Sequence, residues 1–493
     1  MSEKYGYADR QYWAWKTIDF PNGTYQGMAH SLAISAKLGL INKNDALFLI
    51  DALICAIPKI RHNNGSVEEA FPEEHSFCVT ALVAFDILSA IYRLKAELGE
   101  GKTKDYLEII RPLIDFITHN DETHAIISNH LATGVAAIAL WNHLSGDKNG
   151  RGEELLGIIL DHQSEEGWYM EYESADPGYQ TLCTYYLCAA NEVLNDDGLH
   201  NSIAKSIAFL RNFIHPDGSI GGIYGSRNTE VYYPGGLVGL EQQRGLYCAT
   251  EKLLQSWTSE SAILPENIDR ENLIPLVNSV AYAALMLEEN GKLIEPPMGE
   301  LNYHKDFPEA GLYVHSTETY YAVVNYKKGG VLKVFDRVKK QWDIEDGGLV
   351  LRIGQKQYST QSYLPNISFK TREIKTELFE VGTSYPSYFQ TLLIRLFALT
   401  IFKIRALREG FKKAVIRLLI TGKKPLRGVG VKRHFSFNEE GILVTEFLSK
   451  KMPNAEVLRP GKYKTIHMAS SGYTALTRLP KFESNLVRFE LHD

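Results

Sequence analysis

Five polar clusters interrupt the apolar segments of the first half of the chain and hold most of its reactive side chains. They span Phe71–Phe77 (with Glu74), Ser128–Gly134 (with Asn129 and His130), Trp168–Glu173 (with Glu171), Ala175–Thr181 (with Asp176 and Tyr179) and Tyr224–Pro234 (with Arg227, Asn228, Glu230 and Tyr232). Asn129 and His130 open a run of small apolar residues. Asn is a good N-cap, and a neutral imidazole beside an amide at a helix start is suited to receive a carboxylate. Asp176-Pro177-Gly178 reads as a capped turn opening a helix that carries Tyr179 and, further along, Tyr185. Arg227, Asn228 and Glu230 fall in a loop flanked by aromatics, a setting suited to anions or sugars. An amide, an imidazole, a phenol and a guanidinium could thus surround one anion or sugar, with Glu74, Glu171, Asp176, Asn228, Glu230 and Tyr232 as further binding contacts.

The segments between these clusters must position them, and they have the helix period. Apolar residues recur at i, i+3, i+4 and i+7 in Ala46–Ile57, Val79–Leu98, Tyr106–Ile117, His130–Leu144, Gln180–Leu194 and Ile203–Phe213. Four segments end in a histidine followed by polar turn residues, His62, His119, His162 and His215, at intervals of 57, 43 and 53 residues. That is the length of one αα-hairpin. Each of these histidines reads most simply as a cation at a helix C-terminus. Because the turns carry unequal polar decoration, an incomplete (α/α) toroid with its functional residues at one end is expected, with an open solenoid as the alternative.

From about Gly311 the period changes to alternating and β-branched. Gly311–Val314, Tyr320–Tyr326, Val331–Asp336, Leu349–Ile353, Gln357–Thr360, Ile367–Thr371, Gly441–Phe447 and Leu486–Leu491 read as strands of an antiparallel β-sandwich. The expected domains are 1–290 for the toroid and 305–493 for the sandwich, joined through Glu295-Pro296-Pro297-Met298. Residues 391–421 break the strand pattern with seven Lys or Arg, one Glu and dense apolar residues. They form a basic amphipathic helical insertion, which either covers one face of the sheet or anchors on an anionic membrane surface.

Composition bounds the remaining choices. The 493 residues, 44% hydrophobic and 23% charged, are those of a globular protein. A net charge of −6 gives no positive field for nucleic acid, which is not expected as a partner. The five cysteines (Cys55, Cys78, Cys183, Cys188, Cys248) form no CxxC pair, so neither a zinc site nor a disulfide scaffold is expected, and no metal or cofactor is assigned. The first residues have no basic start followed by an apolar run. A cytoplasmic protein is expected, on the inner face of the membrane if the insertion anchors it rather than covers the sheet.

A helical toroid followed by a β-sandwich resembles the polysaccharide lyases of the heparinase and alginate lyase type. Ser128-Asn129-His130 resembles that family's Asn-Asn-His turn, Tyr185 lies 56 residues after Asn129, near where such lyases place their Tyr acid/base, and Phe307–Val314 resembles the first sandwich strand. The resemblance implies β-elimination beside a uronic acid, on a polysaccharide or a surface-glycan precursor. Asn129 and His130 would neutralise the substrate carboxylate. Tyr179 or Tyr185 would take the C5 proton, and Arg227 would offset part of the roughly 4 kcal/mol needed to ionise a phenol at pH 7. A uronyl epimerase would use the same deprotonation. A glycoside hydrolase on the same toroid, drawing on pairs among Glu74, Glu171, Asp176 and Glu230, and a non-catalytic glycan-binding scaffold are the alternatives. The resemblance also implies a histidine in the sandwich near Gly329–Arg337. None is present there, and the nearest are His304 and His315.

Overall fold

A computed structural model describes residues 4–9, 18–123, 126–171, 174–238, 256, 263–266, 268, 270–290, 301–381, 387–416, 425–458 and 484–492. Cys248, the linker around Glu295 and residues 417–421 lie outside the described residues, as do Tyr172 and Glu173.

Helices fill the first half: α1 (Met28–Lys37), α2 (Lys43–Ile60), α3 (Phe77–Arg93), α4 (Lys95–His119), α5 (Ser128–Ser145), α6 (Arg151–Asp161), α7 (Pro177–Leu194), α8 (Asp197–Leu210) and α9 (Arg270–Asn290). Side-chain oxygens start many of them. Asn42, Ser76, Asp176 and Asp196 each accept a first-turn backbone N–H, worth about 1 kcal/mol apiece. The single periodic run Val79–Leu98 is two helices, because the chain turns at Leu94 and again at Gly99, whose φ is +71°. Burial sorts the helices into two layers. Almost every residue of α3 is buried, and so is nearly all of α5 and α7, whereas α6 buries only Leu155 and Ile159. A helix apolar all round must sit inside, and one with a narrow apolar stripe must sit outside. Accordingly α3 packs against α1 and α5, and α5 against α7.

The last described helix of this half lies against the first. Asn278 of α9 accepts from the Ser31 N–H at 3.2 Å and donates to the Gly27 carbonyl at 2.9 Å, and Lys37 pairs with Glu289 further along. Under this seam, His30 Nδ1 lies 3.3 Å from Asp86 Oδ1, both side chains buried. Gly27 is required there, since a Cβ would come within 2.2 Å of Asp86 Oδ2.

Strands follow from Tyr303. Five form one sheet in the order β1 (Tyr303–Phe307), β2 (Leu312–Ser316), β3 (Tyr320–Asn325), β4 (Val331–Asp336), β5 (Gln341–Asp346), all antiparallel. The second sheet holds β6 (Val350–Ile353), β7 (Lys356–Ser359), β8 (Glu373–Glu380), β9 (Pro425–Phe437), β10 (Ile442–Leu448), β11 (Ala455–Leu458) and β12 (Val487–His492), in the order β11-β6-β7-β8-β9-β10-β12. The expected antiparallel pairing holds in this sheet except between β10 and β12, which run parallel. The sheets share a core in which Tyr320, Val324 and Val334 meet Phe369, Ile374, Phe435 and Val444. Ile367–Thr371 is irregular rather than a strand. Its apolar signal comes from Phe369, a buried loop residue stacked on Tyr326 at 4.9 Å. His315 is half-buried in β2 against Phe437, and burial followed by the nearby His304 lowers its pKa to about 4.

The insertion forms α10 (Tyr388–Leu399) and α11 (Arg405–Ile416). It leans on the helical half. Phe402 packs on Phe71 at 5.5 Å, Arg395 pairs with Asp19 at 3.3 Å, and Thr123 donates to Glu409 at 2.5 Å. Among the described residues no helix is long and apolar enough to cross a membrane.

Candidate active site

The polar clusters sit where the inner helices begin. A cavity of about 470 Å³ is lined by Tyr25 ahead of α1, Cys78 in the first turn of α3, Asn129 and His130 of α5, Tyr179 of α7, Asn272 of α9, and Arg227. Four helix starts, those of α3, α5, α7 and α9, therefore face one space. Each brings the positive end of its dipole to the space, although first-turn N–H groups of α3, α5 and α7 are already bonded to Ser76, Ile127 and Asp176.

Asp176 builds the side of this site that holds the tyrosine. One carboxylate oxygen accepts from the Tyr179 N–H at 3.0 Å and starts α7. The other accepts from the Arg227 N–H at 2.7 Å and fixes the 225–229 loop. Arg227 then lies over the Tyr179 ring, 3.6 Å from its centroid. Its Nη1 donates to Glu171 at 2.5 Å, and Asn129 Nδ2 contacts both oxygens of the same carboxylate at 2.9 and 2.8 Å. Burial raises the Glu171 pKa, an effect that Arg227, His130 and Asn129 only partly offset.

His130 Nδ1 lies 2.7 Å from Glu122, a carboxylate that is itself buried. Burial alone would lower the histidine pKa. Cys78 and Glu122 outweigh it and hold His130 well above its ordinary value. The shift is toward the protonated imidazole, opposite to the neutral form expected from the sequence. Asn129 is not the N-cap of α5 either. Ile127 takes that position without a side-chain bond, and the Asn129 amide is left for Glu171.

The second half of the chain reaches into this site. Lys328, in the turn between β3 and β4, donates from Nζ to the carbonyls of Ile223 and Gly225 at 2.8 and 2.6 Å and to Asn228 Oδ1 at 2.5 Å. Asn325 Nδ2 adds a bond to the Tyr224 carbonyl at 2.7 Å. The loop carrying Arg227 is thereby pinned from the sheet side, with Asn228 in the left-handed region at φ +57°.

Of the residues singled out from sequence, the structure brings Asn129, His130, Tyr179 and Arg227 onto one cavity wall. It does not bring Tyr185 there. That side chain is fully buried among Phe85, Tyr186 and Tyr282, with its hydroxyl 3.4 Å from His30, and burial pushes its pKa well above the usual value. Glu171 and Asp176 stand behind the wall as supports. Glu74 is buried and accepts from the Ala70 N–H, and Asn228 receives Lys328. Tyr232 is buried against Ser256, and Glu230 is partly buried outside the lining. Sequence reasoning missed Glu122, which holds His130, and Asp9 and Glu69, two carboxylates on the cavity wall. None of the three falls within the five polar clusters, so the sequence reading passed over them.

The histidines at the hairpin ends separate in the same way. His119 and His162 do sit at helix C-termini, each bonded to a carbonyl four residues back. His215 is buried between Ser219 and Tyr224, and burial holds its pKa well below the usual value. His62 instead pairs with the buried carboxylate of Glu68, which raises its pKa. His62, Glu73 and His75 also place one potential ligand atom each within 4.8 Å of one another, a metal-competent grouping that cysteine spacing could not reveal.

The chain is similar in structure to polysaccharide lyases. Chondroitin AC lyase from Streptomyces coelicolor, solved with chondroitin sulphate, superposes with a TM-score of 0.48 at 11% identity, over 85% of this chain and 60% of that one. Heparinase III gives 0.44 at 11% identity, over 76% and 61%. The chain thus spans about 60% of the length of either lyase. Cellobiose 2-epimerase from Bacillus thermoamylovorans gives 0.43 at 11% identity, over 58% of this chain and 93% of that one. No protein-family model matches the chain, and no curated protein is similar to it in sequence.

Proposed function

We propose that the protein is a carbohydrate-active enzyme that cleaves an acidic, uronate-containing polysaccharide or glycan precursor by β-elimination, on an incomplete (α/α) toroid backed by a β-sandwich. The observation that carries this reading is the convergence of Asn129, His130, Tyr179 and Arg227 on one cavity at the start of four helices.

The substrate carboxylate would face the positive helix ends and the His130 cation. There its negative charge is offset and the adjacent C5 proton becomes acidic. Tyr179, as phenolate, takes that proton. The electron pair left on C5 forms the C4–C5 double bond and expels the C4 oxygen, which takes the proton from the Tyr179 phenol and so restores the phenolate. Arg227 against the ring face favours the phenolate, and Glu171 holds Arg227 in place. Returning the proton to C5 from the opposite face would instead give an epimerase. Incubation with uronate polymers separates these outcomes. Elimination yields unsaturated, ultraviolet-absorbing ends, and epimerisation yields solvent deuterium at C5 without cleavage. Neither product on any uronate polymer would overturn the proposal.

A second reading rests on Asp9 and Glu69, which both line the cavity. A pair of carboxylates flanking a glycosidic bond is the requirement for hydrolysis. Loss of activity in Glu69→Gln with full activity in Tyr179→Phe would select hydrolysis.

A further inference from the structure

The described residues include 17 large apolar side chains that are exposed, and seven of them fall within the 20 residues 388–407. They are Tyr388, Phe389, Leu392, Leu396, Leu399, Ile404 and Leu407, exposed between 49% and 98%. This concentration is a patch, unlike the single apolar residues scattered over any surface. Along α10, positions 388, 392, 396 and 399 follow the i, i+4, i+8, i+11 spacing of one helix face. The helix is not frayed, since Ser387 and Gln390 close a capping box at its start.

The insertion itself carries mostly positive charge, and the acids that face it, Asp19, Asp121 and Glu122, belong to the helical half. Lys403, Arg405 and Lys413 are exposed, and Glu409 is the only acidic residue between 387 and 416. Glu409 is engaged by Thr123 and Arg408. A second copy of the chain docked here across a two-fold axis would bring Lys403, Arg405 and Lys413 toward their own images, a like-charge contact that an anionic surface avoids. An anionic lipid surface takes both components, the apolar face among the acyl chains and the cations among the headgroups.

We propose that α10 and α11 seat the protein on an anionic membrane surface, with Tyr388, Phe389, Leu392, Leu396 and Leu399 inserted and Lys403, Arg405 and Lys413 against the headgroups. This contact would also set the active-site cavity beside the membrane. Lys403, Arg405 and Arg408 line a smaller cavity of about 260 Å³ together with Glu122, the carboxylate that holds His130. A glycan presented from the lipid surface would then enter next to His130. The docking claim stands apart from the chemistry proposed above, because its readout is binding alone.

The experiment is co-sedimentation of the full chain with vesicles of phosphatidylcholine alone and of equal parts phosphatidylcholine and phosphatidylglycerol. Binding is expected on the mixed vesicles, weakening as salt is raised, and little on phosphatidylcholine alone. Leu392→Asp/Leu396→Asp is expected to lose at least about tenfold in vesicle affinity with an unchanged melting curve. Phe48→Asp, at an exposed apolar residue outside the patch, serves as the control that retains binding. Absence of wild-type binding to the mixed vesicles would overturn the proposal, as would equal binding by the double variant. A dimer in sedimentation velocity that the double substitution dissociates, with no vesicle binding, would assign the face to a second copy instead.

Discussion

Arg227 stacks on the Tyr179 ring at 3.6 Å while its Nη1 is bonded to the buried carboxylate of Glu171. The tyrosine is thus placed against a cation whose own position is set by an acid behind it. Tyr179→Phe keeps the ring, the stack and the packing, and removes only the hydroxyl. Activity on a uronate polymer should fall by about 10²–10⁴-fold, the usual scale for losing an acid–base group, with an unchanged melting temperature. Steady-state assays and thermal melts on the same preparation check both halves of this expectation.

Removing the guanidinium has a different signature. Arg227→Met leaves Glu171 buried beside Asn129 without its cation, a change that costs about 3–5 kcal/mol in comparable pairs. Arg227→Met/Glu171→Gln removes the stranded charge and should recover most of that stability in urea unfolding. Activity should stay low in both variants.

Lys328 acts at one remove, as a positioning residue. Its three bonds to the 223–228 loop come from the other half of the chain. Lys328→Met should lower kcat without shifting the pH profile, because no titrating group of the site is altered. It should also cost about 1–3 kcal/mol through the acceptors left without their donor. Recovery of part of kcat in Lys328→Arg would separate positioning from general destabilisation.

The His30–Asp86 pair predicts a pH dependence of stability. Burial holds Asp86 protonated well above the usual carboxylate range, with Asn278 opposing weakly. The folded chain therefore keeps a proton that the unfolded chain loses above about pH 4, and stability falls as pH rises from there toward the raised value. Burial, followed by Arg93, lowers His30 to about 3, so its contribution rises with pH only up to about 6.5. Above that point the His30 contribution is constant while the Asp86 decline continues. Asp86→Asn should flatten the decline, so that its melting temperature gains on the wild type from about pH 6.5 upward. A constant difference between the two proteins across that range would contradict this assignment.

What the sequence revealed follows from which forces are local. The inner helices were legible because α3, α5 and α7 carry long apolar runs opened by polar turns, and Tyr179 follows directly from the Asp176 cap. Tyr185 was misleading for the same reason. It sits two turns along the buried stretch of α7, where periodicity cannot say whether a side chain faces a cavity or the core. Glu122 and His130 are eight residues apart across a break between helices, and Lys328 is 100 residues from Asn228. Pairings of that kind are set by tertiary packing, which leaves no periodic trace. The insertion was legible in composition, but its contact with the helical half depends on Phe402 and Arg395 meeting residues near the N-terminus.

The Asn278 contacts with Gly27 and Ser31 have a consequence for biogenesis. The two hydrogen-bonded residues of this seam, Ser31 and Asn278, are 247 positions apart. At ordinary translation speeds of 5–20 residues per second, the first helix leaves the ribosome about 12–50 s before its neighbour exists. Until then its flank is bare. Newly made chains of this protein should therefore depend on holdase chaperones, and ribosome-stalled fragments ending before position 278 should be protease-sensitive at their N-terminal helix.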